Sequence, residues 1–376
     1  MSGPGPHGPV YAVALTRAGA QVAARLVARF PGTRGFAPSR YAGETPGVDG
    51  FDGPVAGLLE RLWPDAQALV LIMAAGIAVR TLAPLLAGKA ADPAVVVMDP
   101  QGAFAVPILG GHLAGANALA REIERRLGAT AVITTATDAA GRPAAELWAH
   151  RWALRPEDQR GVVAVNAAWA NGEPVGLFQG AGAEELPGLD ELVDHLDLVT
   201  ADPAQARGFP GVLLAVTCRE PPEVPAALVL RPVRLVLGVG CRRGACPEEV
   251  ERGVRQALGQ AGWSAAAVGR VATVDVKRDE PALRALAATF GVPLETYPAE
   301  ALARVPVLTS SQRVQEAVGT PRVSEAAARM GAARGPLLLP KVRGGTWTLA
   351  VALGPPSSPR RAGAGGCPSN PSLHPG

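Results

Sequence analysis

The sequence predicts an α/β protein, with layered α/β domains at its N- and C-terminal ends and a less regular region between them. Three observations carry this. Short β-rich runs alternate with Ala/Leu/Arg-rich helical patterns, as in layered α/β architecture. Two glycine-rich stretches stand where a strand meets a helix, at 107–117 and 238–247. Between about 150 and 230 both signals weaken. A chain of 376 residues, 48% hydrophobic and 18% charged, is long enough for two or three domains.

In chain order, "VYAVALT" at 10–16 predicts a strand and 17–30 a helix, with Ala18, Val22, Leu26 and Phe30 spaced by four along one face. "ALVLIM" at 68–73 predicts a buried strand. "GIAVRTLAPLLAG" then turns through glycine into a helix that Pro84 kinks or shortens, and "AVVVMD" is the next strand. Pro100 in "DPQG" takes the second position of a β-turn that folds "AFAVPI" back as a hairpin partner. "TAVITTA" at 130–136 predicts a further strand, leading into "TDAAG". "REPPEVP" at 219–225 reads as a linker. Beyond it come a strand at 233–240, a helix over 247–259, a strand near 266–275, a helix over 280–290 and further elements to 352. The expected divisions are an N-terminal domain at 1–128, a middle region with its linker at 129–229, a C-terminal domain at 230–353 and a tail at 354–376. The tail's Pro/Gly/Ser-rich composition is that of a disordered segment.

Composition narrows the function. A net charge of +3, from 36 basic and 33 acidic residues without a basic block, argues against nucleic-acid binding. Lysine stands only at 89, 277 and 341, so a given arginine is weak evidence and a lysine somewhat stronger. Cys218, Cys241, Cys246 and Cys367 have neither zinc-ligand spacing nor a histidine cluster, which fits a reducing cytoplasm better than a disulfide framework. The most apolar run, 68–79, has twelve residues where a bilayer span needs about 20, and no basic n-region opens the chain. The expectation is a cytoplasmic protein with no membrane contact.

Two constellations carry candidate chemistry. In "GVGCRRGACPEEV" at 238–250, Gly238, Gly240 and Gly244 precede a helix opened by Pro247, with Glu248 and Glu249 in its first turn; such a turn presents backbone N–H groups to an anion. The third glycine falls one residue late for a dinucleotide fingerprint. Arg242 and Arg243 either grip ligand carboxylates or form salt bridges on a rim. Cys241 reads as packing rather than nucleophile, and Cys246 as a poor helix cap. In "PILGGHLAGANALAREIERRLG" at 107–128, Gly110, Gly111 and His112 stand at a strand-to-helix junction of the kind where α/β proteins hold ligands. A helical stripe of Leu113, Ala116, Ala120, Ile123 and Leu127 follows. Gly115, read as helical, costs roughly 1 kcal/mol against alanine and implies a close approach. His112 serves either as a hydrogen-bonded structural residue or as a proton carrier. "DVKRDEPAL" at 275–283 reads by default as a solvated loop. "VGTPRVSEAAARM" at 318–330 predicts Thr320 capping a helix, with Glu325 facing outward. Lys341 is expected at a strand end.

Taken together, "LGGHLAGANALA", "ITTATDAAG", "LGVGCRRG", "DVKRDEPAL", "GVPLETYPAEAL", "VGTPRVSEAAA" and "LLLPKVRGGTWTLAVA" occur in the order found in the cobalt-precorrin-5A hydrolase family of anaerobic cobalamin (vitamin B12) biosynthesis. The resemblance spans about 60 to 352, with Cys246 in place of an expected Thr or Ser and Arg322 in place of a small residue. It implies opening of the substrate's δ-lactone by water and loss of a two-carbon unit as acetaldehyde. It implies His112 and Asp138 as candidate proton handlers. Candidate substrate contacts are Gly110, Gly111, Gly115, Asn117, Gly238, Gly240, Cys241, Arg242, Arg243, Glu325 and Lys341. The cobalt arrives inside the tetrapyrrole substrate, so neither a cofactor nor a protein metal site is implied. Expected partners are that substrate and, transiently, neighbouring pathway methyltransferases. The C-terminal part alone resembles free-standing proteins of the aerobic route, which leaves a binding or carrier role as the alternative.

Overall fold

A computed structural model describes residues 9–88, 91–112, 114–135, 141–306, 323–356 and 358. The chain divides after Leu147 into two compact units. The first is built on seven strands: β1 (Val10–Ala14), β2 (Thr33–Pro38), β3 (Val48–Phe51), β4 (Ala68–Ile72), β5 (Ala94–Met98), β6 (Phe104–Leu109) and β7 (Thr130–Ala131), in the order β3-β2-β1-β4-β5-β6-β7. β1 and β4 are buried along their whole length, as parallel strands covered on both faces must be. Helices Arg17–Arg29 and Ala116–Leu127 close one face over Val22, Leu26, Ala120 and Ile123; Val55–Leu62 and Ala75–Leu82 close the other over Leu58, Leu59, Ala78 and Leu82. Thr16 caps the first of these by accepting from the Gly19 N–H at 3.1 Å, and Ala18 stands exposed outside its buried stripe. The helix from Ala75 ends at Leu82 and Pro84 lies in a 3₁₀ turn, so proline shortens it. The turn at Asp99 closes through Gly102 N–H to Asp99 O at 2.9 Å, and β6 returns antiparallel to β5 as expected.

The middle region is more regular than its sequence signals. β8 (Leu154–Pro156), β9 (Val175–Gln179), β10 (Leu198–Thr200), β11 (Val212–Val216) and β12 (Leu228–Pro232) form a sheet of order β10-β9-β11-β12-β8, parallel except for β8. Strands of three to five residues are too short to show periodicity. "REPPEVP" is a loop between β11 and β12 rather than a linker between domains. Its ends are tied down, Glu220 accepting from Ser264 Oγ at 2.6 Å and Glu223 from the Ala181 N–H at 2.9 Å. β7 lies beyond the division expected at 128 yet pairs into the first sheet, and β12 of the second sheet straddles the division expected at 229.

The third sheet comprises β13 (Leu235–Cys241), β14 (Val268–Val274), β15 (Leu294–Tyr297), β16 (Leu337–Arg343) and β17 (Trp347–Leu353), in the order β15-β14-β13-β17-β16. β13, β14 and β15 run parallel and β17 antiparallel to β13. Helices Pro247–Gln260 and Pro281–Phe290 cover one face; Val323–Gly331 covers the other, over Val236, Ala272 and Ala350. Both outer sheets are thus α/β/α layers, as predicted.

Candidate functional site

The first glycine turn follows β6. Because β6 runs antiparallel to β5 and β7 parallel to β6, these two strands with the helix Ala116–Leu127 form a βαβ unit of their own. Its carboxyl ends bring residues 110–117 and 132–135 together. The turn is pinned by its backbone: Gly115, Ala116 and Asn117 N–H donate at 3.0 Å to the carbonyls of His112, Gly110 and Gly111. Gly115 is not inside the helix but caps it, at φ +90°, with open space where a Cβ would stand. Its requirement is the left-handed backbone and not a close approach. The expected strand at 130–136 shortens to Thr130–Ala131, and Thr135 beyond it accepts from Asn117 Nδ2 at 3.0 Å.

His112 is 11% exposed, and its Nδ1 lies 2.9 Å from Oε1 of Glu146, itself 5% exposed in the first turn of the helix Ala145–Arg151. Sequence reasoning missed Glu146. It stands 34 positions from His112 in an ordinary helical pattern, with no spacing that marks it. Asp138 and Leu113 lie outside the described residues.

The second glycine turn follows β13. Arg242 N–H donates to Thr346 O at 2.8 Å, continuing the β13–β17 ladder, and Ala245 N–H closes the turn on Arg242 O at 3.2 Å. The segment read as a solvated loop braces it: Gly244 N–H donates to Glu280 Oε1 at 2.9 Å, and Lys277 Nζ donates to Cys241 O. Glu249 accepts from Thr346 Oγ1 at 3.0 Å. Cys241 is buried in the core, where burial pushes its thiol up, so it is packing rather than nucleophile. Cys246 offers no amide cap; its thiol donates to Glu248 Oε2 at 2.9 Å, which holds that carboxyl below the usual range. Arg242 and Arg243 are exposed, and neither guanidinium has a partner among the described residues.

Three other expected residues stand differently from their sequence reading. Gly238 lies beneath the helix Val323–Gly331, where a Cβ would come 1.8 Å from Ser324 O; the glycine is needed for close packing. Glu325 does not face outward: it is 0% exposed and its Oε1 accepts from the Lys341 N–H at 2.9 Å. Lys341 lies within β16 rather than at its end, half-buried. Burial, then the Arg343 charge, lowers its ammonium's pKa against the opposing pull of Glu325. Gly240 faces Thr348, whose Oγ1 donates to the Gly240 carbonyl at 3.4 Å. Thr320, Pro321 and Arg322 lie outside the described residues.

Residues 57–138, 143–232 and 235–352 match, in turn, the families described as Cobalamin synthesis G N-terminal, Cobalamin biosynthesis central region and Cobalamin synthesis G C-terminus. A cobalt-precorrin-5A hydrolase of Priestia megaterium is 30% identical over 362 residues, 93% of this chain and 96% of that relative. The chain belongs to the cobalt-precorrin-5A hydrolase family. A second member, from Salmonella typhimurium, is 36% identical over 90% of this chain and 96% of its own length. The protein CobE of a Sinorhizobium species is 37% identical over 28% of this chain and 70% of its own length. In this hydrolase-family chain His112 falls in the N-terminal match, Glu146 in the central one and the arginine turn in the C-terminal one. Among the described residues, no helix is long and apolar enough to cross a membrane.

Proposed function

We propose that this chain hydrolyses cobalt-precorrin-5A, opening its δ-lactone and releasing the freed two-carbon unit as acetaldehyde to give cobalt-precorrin-5B. The observation that carries the reading is the extent of the match: two relatives of that name align over 93% and 90% of the chain, through both glycine turns. Water adds to the lactone carbonyl and the acyl C–O bond breaks, leaving a carboxylic acid on the ring and a hydroxyl on the two-carbon unit. When that hydroxyl loses its proton, its oxygen forms the acetaldehyde carbonyl as the bond to the ring carbon breaks. The electron pair passes into the macrocycle, which takes up a proton in return.

The chain has to supply a base, donors for the oxyanion and cations for the ring's peripheral acetates and propionates. His112 is the candidate base and Asp138 the second. Arg242, Arg243, the amides of their turn and Lys341 are the candidate clamps. Transient hand-over contacts with pathway methyltransferases belong to the same reading. Incubation with cobalt-precorrin-5A without oxygen is expected to release one acetaldehyde per ring opened, trapped as the volatile product, while the ring loses the mass of acetaldehyde less that of water. The resemblance of the C-terminal part to free-standing proteins of the aerobic route, with the 37% identity to CobE over 28% of the chain, favours one second reading, a carrier for a corrinoid intermediate. Tight ring binding without release of the two-carbon unit would select it.

A further inference from the structure

We propose that Glu146 is the positioning residue for His112, so that the pair, rather than the histidine alone, is the proton-handling unit; the inference rests on the hydrolase reading above. The geometry points to it in three ways. First, Glu146 ionised as a carboxylate accepts hydrogen bonds and cannot donate them, and in that state the ring nitrogen 2.9 Å from its Oε1 carries the proton. A neutral imidazole has only one N–H, and Nε2 is thereby left with its lone pair, in the state a general base requires. Second, both groups are largely withdrawn from water, at 11% and 5% exposure. There the carboxylate charge stabilises the imidazolium formed when Nε2 takes a proton, without accepting that proton itself.

Third, both ends are held. His112 sits in a turn closed by the Gly115 N–H on its own carbonyl, flanked by the Ala116 and Asn117 amides on Gly110 and Gly111. Glu146 follows buried Ala144 and Ala145 into the first turn of its helix. A base held by a supporting side chain on a rigid backbone keeps the orientation that proton transfer demands. Glu146, from the helix Ala145–Arg151, brings a carboxylate to the imidazole Nδ1, and Asn117 and Thr135 beside the turn are uncharged. The pair also joins the N-terminal and central family segments in one chemical element.

The test uses the full chain and Glu146→Gln, which keeps shape and a carbonyl acceptor but removes the charge. Expected are a kcat at least tenfold lower, up to the loss of about 10²–10⁴ that removing a general base itself brings, and a KM within about threefold of wild type. With the carboxylate gone the imidazole holds its proton less tightly, so the acid limb of kcat/KM moves to lower pH. The ¹⁵N-imidazole titration midpoint of His112 falls with it, without substrate. Glu146→Asp, which keeps the charge, holds the midpoint above that of the glutamine variant. The double variant His112→Ala/Glu146→Gln is no slower than His112→Ala, because two residues acting as one unit are not additive. Losses that multiply in the double variant, or wild-type turnover in Glu146→Gln, would overturn the pairing and leave a structural ion pair. Acetaldehyde release with full turnover in His112→Ala would also overturn it while the hydrolase reading stands. If wild type released no acetaldehyde, the hydrolase reading would fail, and an unchanged imidazole midpoint in Glu146→Gln would separately overturn the pair.

Discussion

At 110–117 the turn encloses its ionisable side chain and gives it a partner carboxylate 2.9 Å away, whereas at 241–246 the turn leaves both guanidiniums in solvent and secures its backbone instead. In sequence the two look alike: a strand, glycines, a basic residue, a helix. The difference teaches what each can do. A largely buried histidine held beside a carboxylate can take and return a proton in a fixed direction, an orientation it would lose if it swung freely. Exposed arginines on a braced loop suit carboxylates placed around the edge of a large ring, where each bidentate contact adds holding strength without reacting. Glu280 and Lys277 fix the backbone of the arginine turn, Glu249 holds the hydroxyl of Thr346, whose carbonyl accepts from the Arg242 N–H, and the guanidiniums themselves stay available.

The comparison breaks most sharply at His112. His112→Ala is expected to lower turnover by about 10²–10⁴ with a much smaller change in ring binding. His112→Gln, which keeps a hydrogen-bonding side chain but cannot hold a proton near neutral pH, separates chemistry from architecture. Near wild-type turnover in the glutamine variant would reduce the first turn to a structural element and make Asp138 the next residue to replace.

The arginine turn is expected to show the opposite pattern. Replacing Arg242 and Arg243 together with alanine weakens corrinoid binding at least tenfold, since charged hydrogen bonds contribute on the order of 1.5–3 kcal/mol. The melting curve stays where it was, because neither guanidinium has a partner among the described residues to lose. Fluorescence or absorbance titration with the ring, beside calorimetry, reads both. Unchanged affinity would assign the arginines to the rim.

The smallest effect sharpens the structural side of the contrast. Gly115→Ala introduces a methyl that meets nothing, yet forces a non-glycine residue to φ +90°, so it is expected to cost about 1–2 kcal/mol of stability by denaturant titration. A neutral result would mean the turn relaxes to an ordinary helix start and that His112 is held by Glu146 alone.

Much of this was legible in the sequence. The alternation of strands and helices, the Asp99 turn and hairpin, the two glycine turns and the family follow from local patterns that need no long-range partner. Chain-local chemistry also identified Cys241 as packing. Other features were decided only by contacts across the chain. Glu146 acquires meaning because its helix meets a turn 34 residues earlier. Glu325 sits on the amphipathic helix Val323–Gly331, whose period does not say that a carboxylate will face inward; the N–H of Lys341, from a strand that follows, makes its burial tolerable. Gly238 reads as a ligand-loop glycine until Ser324 O is found where its side chain would be. The middle sheet was hidden because strands of three to five residues take their stability from neighbours far along the chain. Local propensity and periodicity are properties of neighbouring residues and are written in the sequence. Pairing of buried polar groups and close backbone contact depend on which distant residue arrives, and only the tertiary structure decides that.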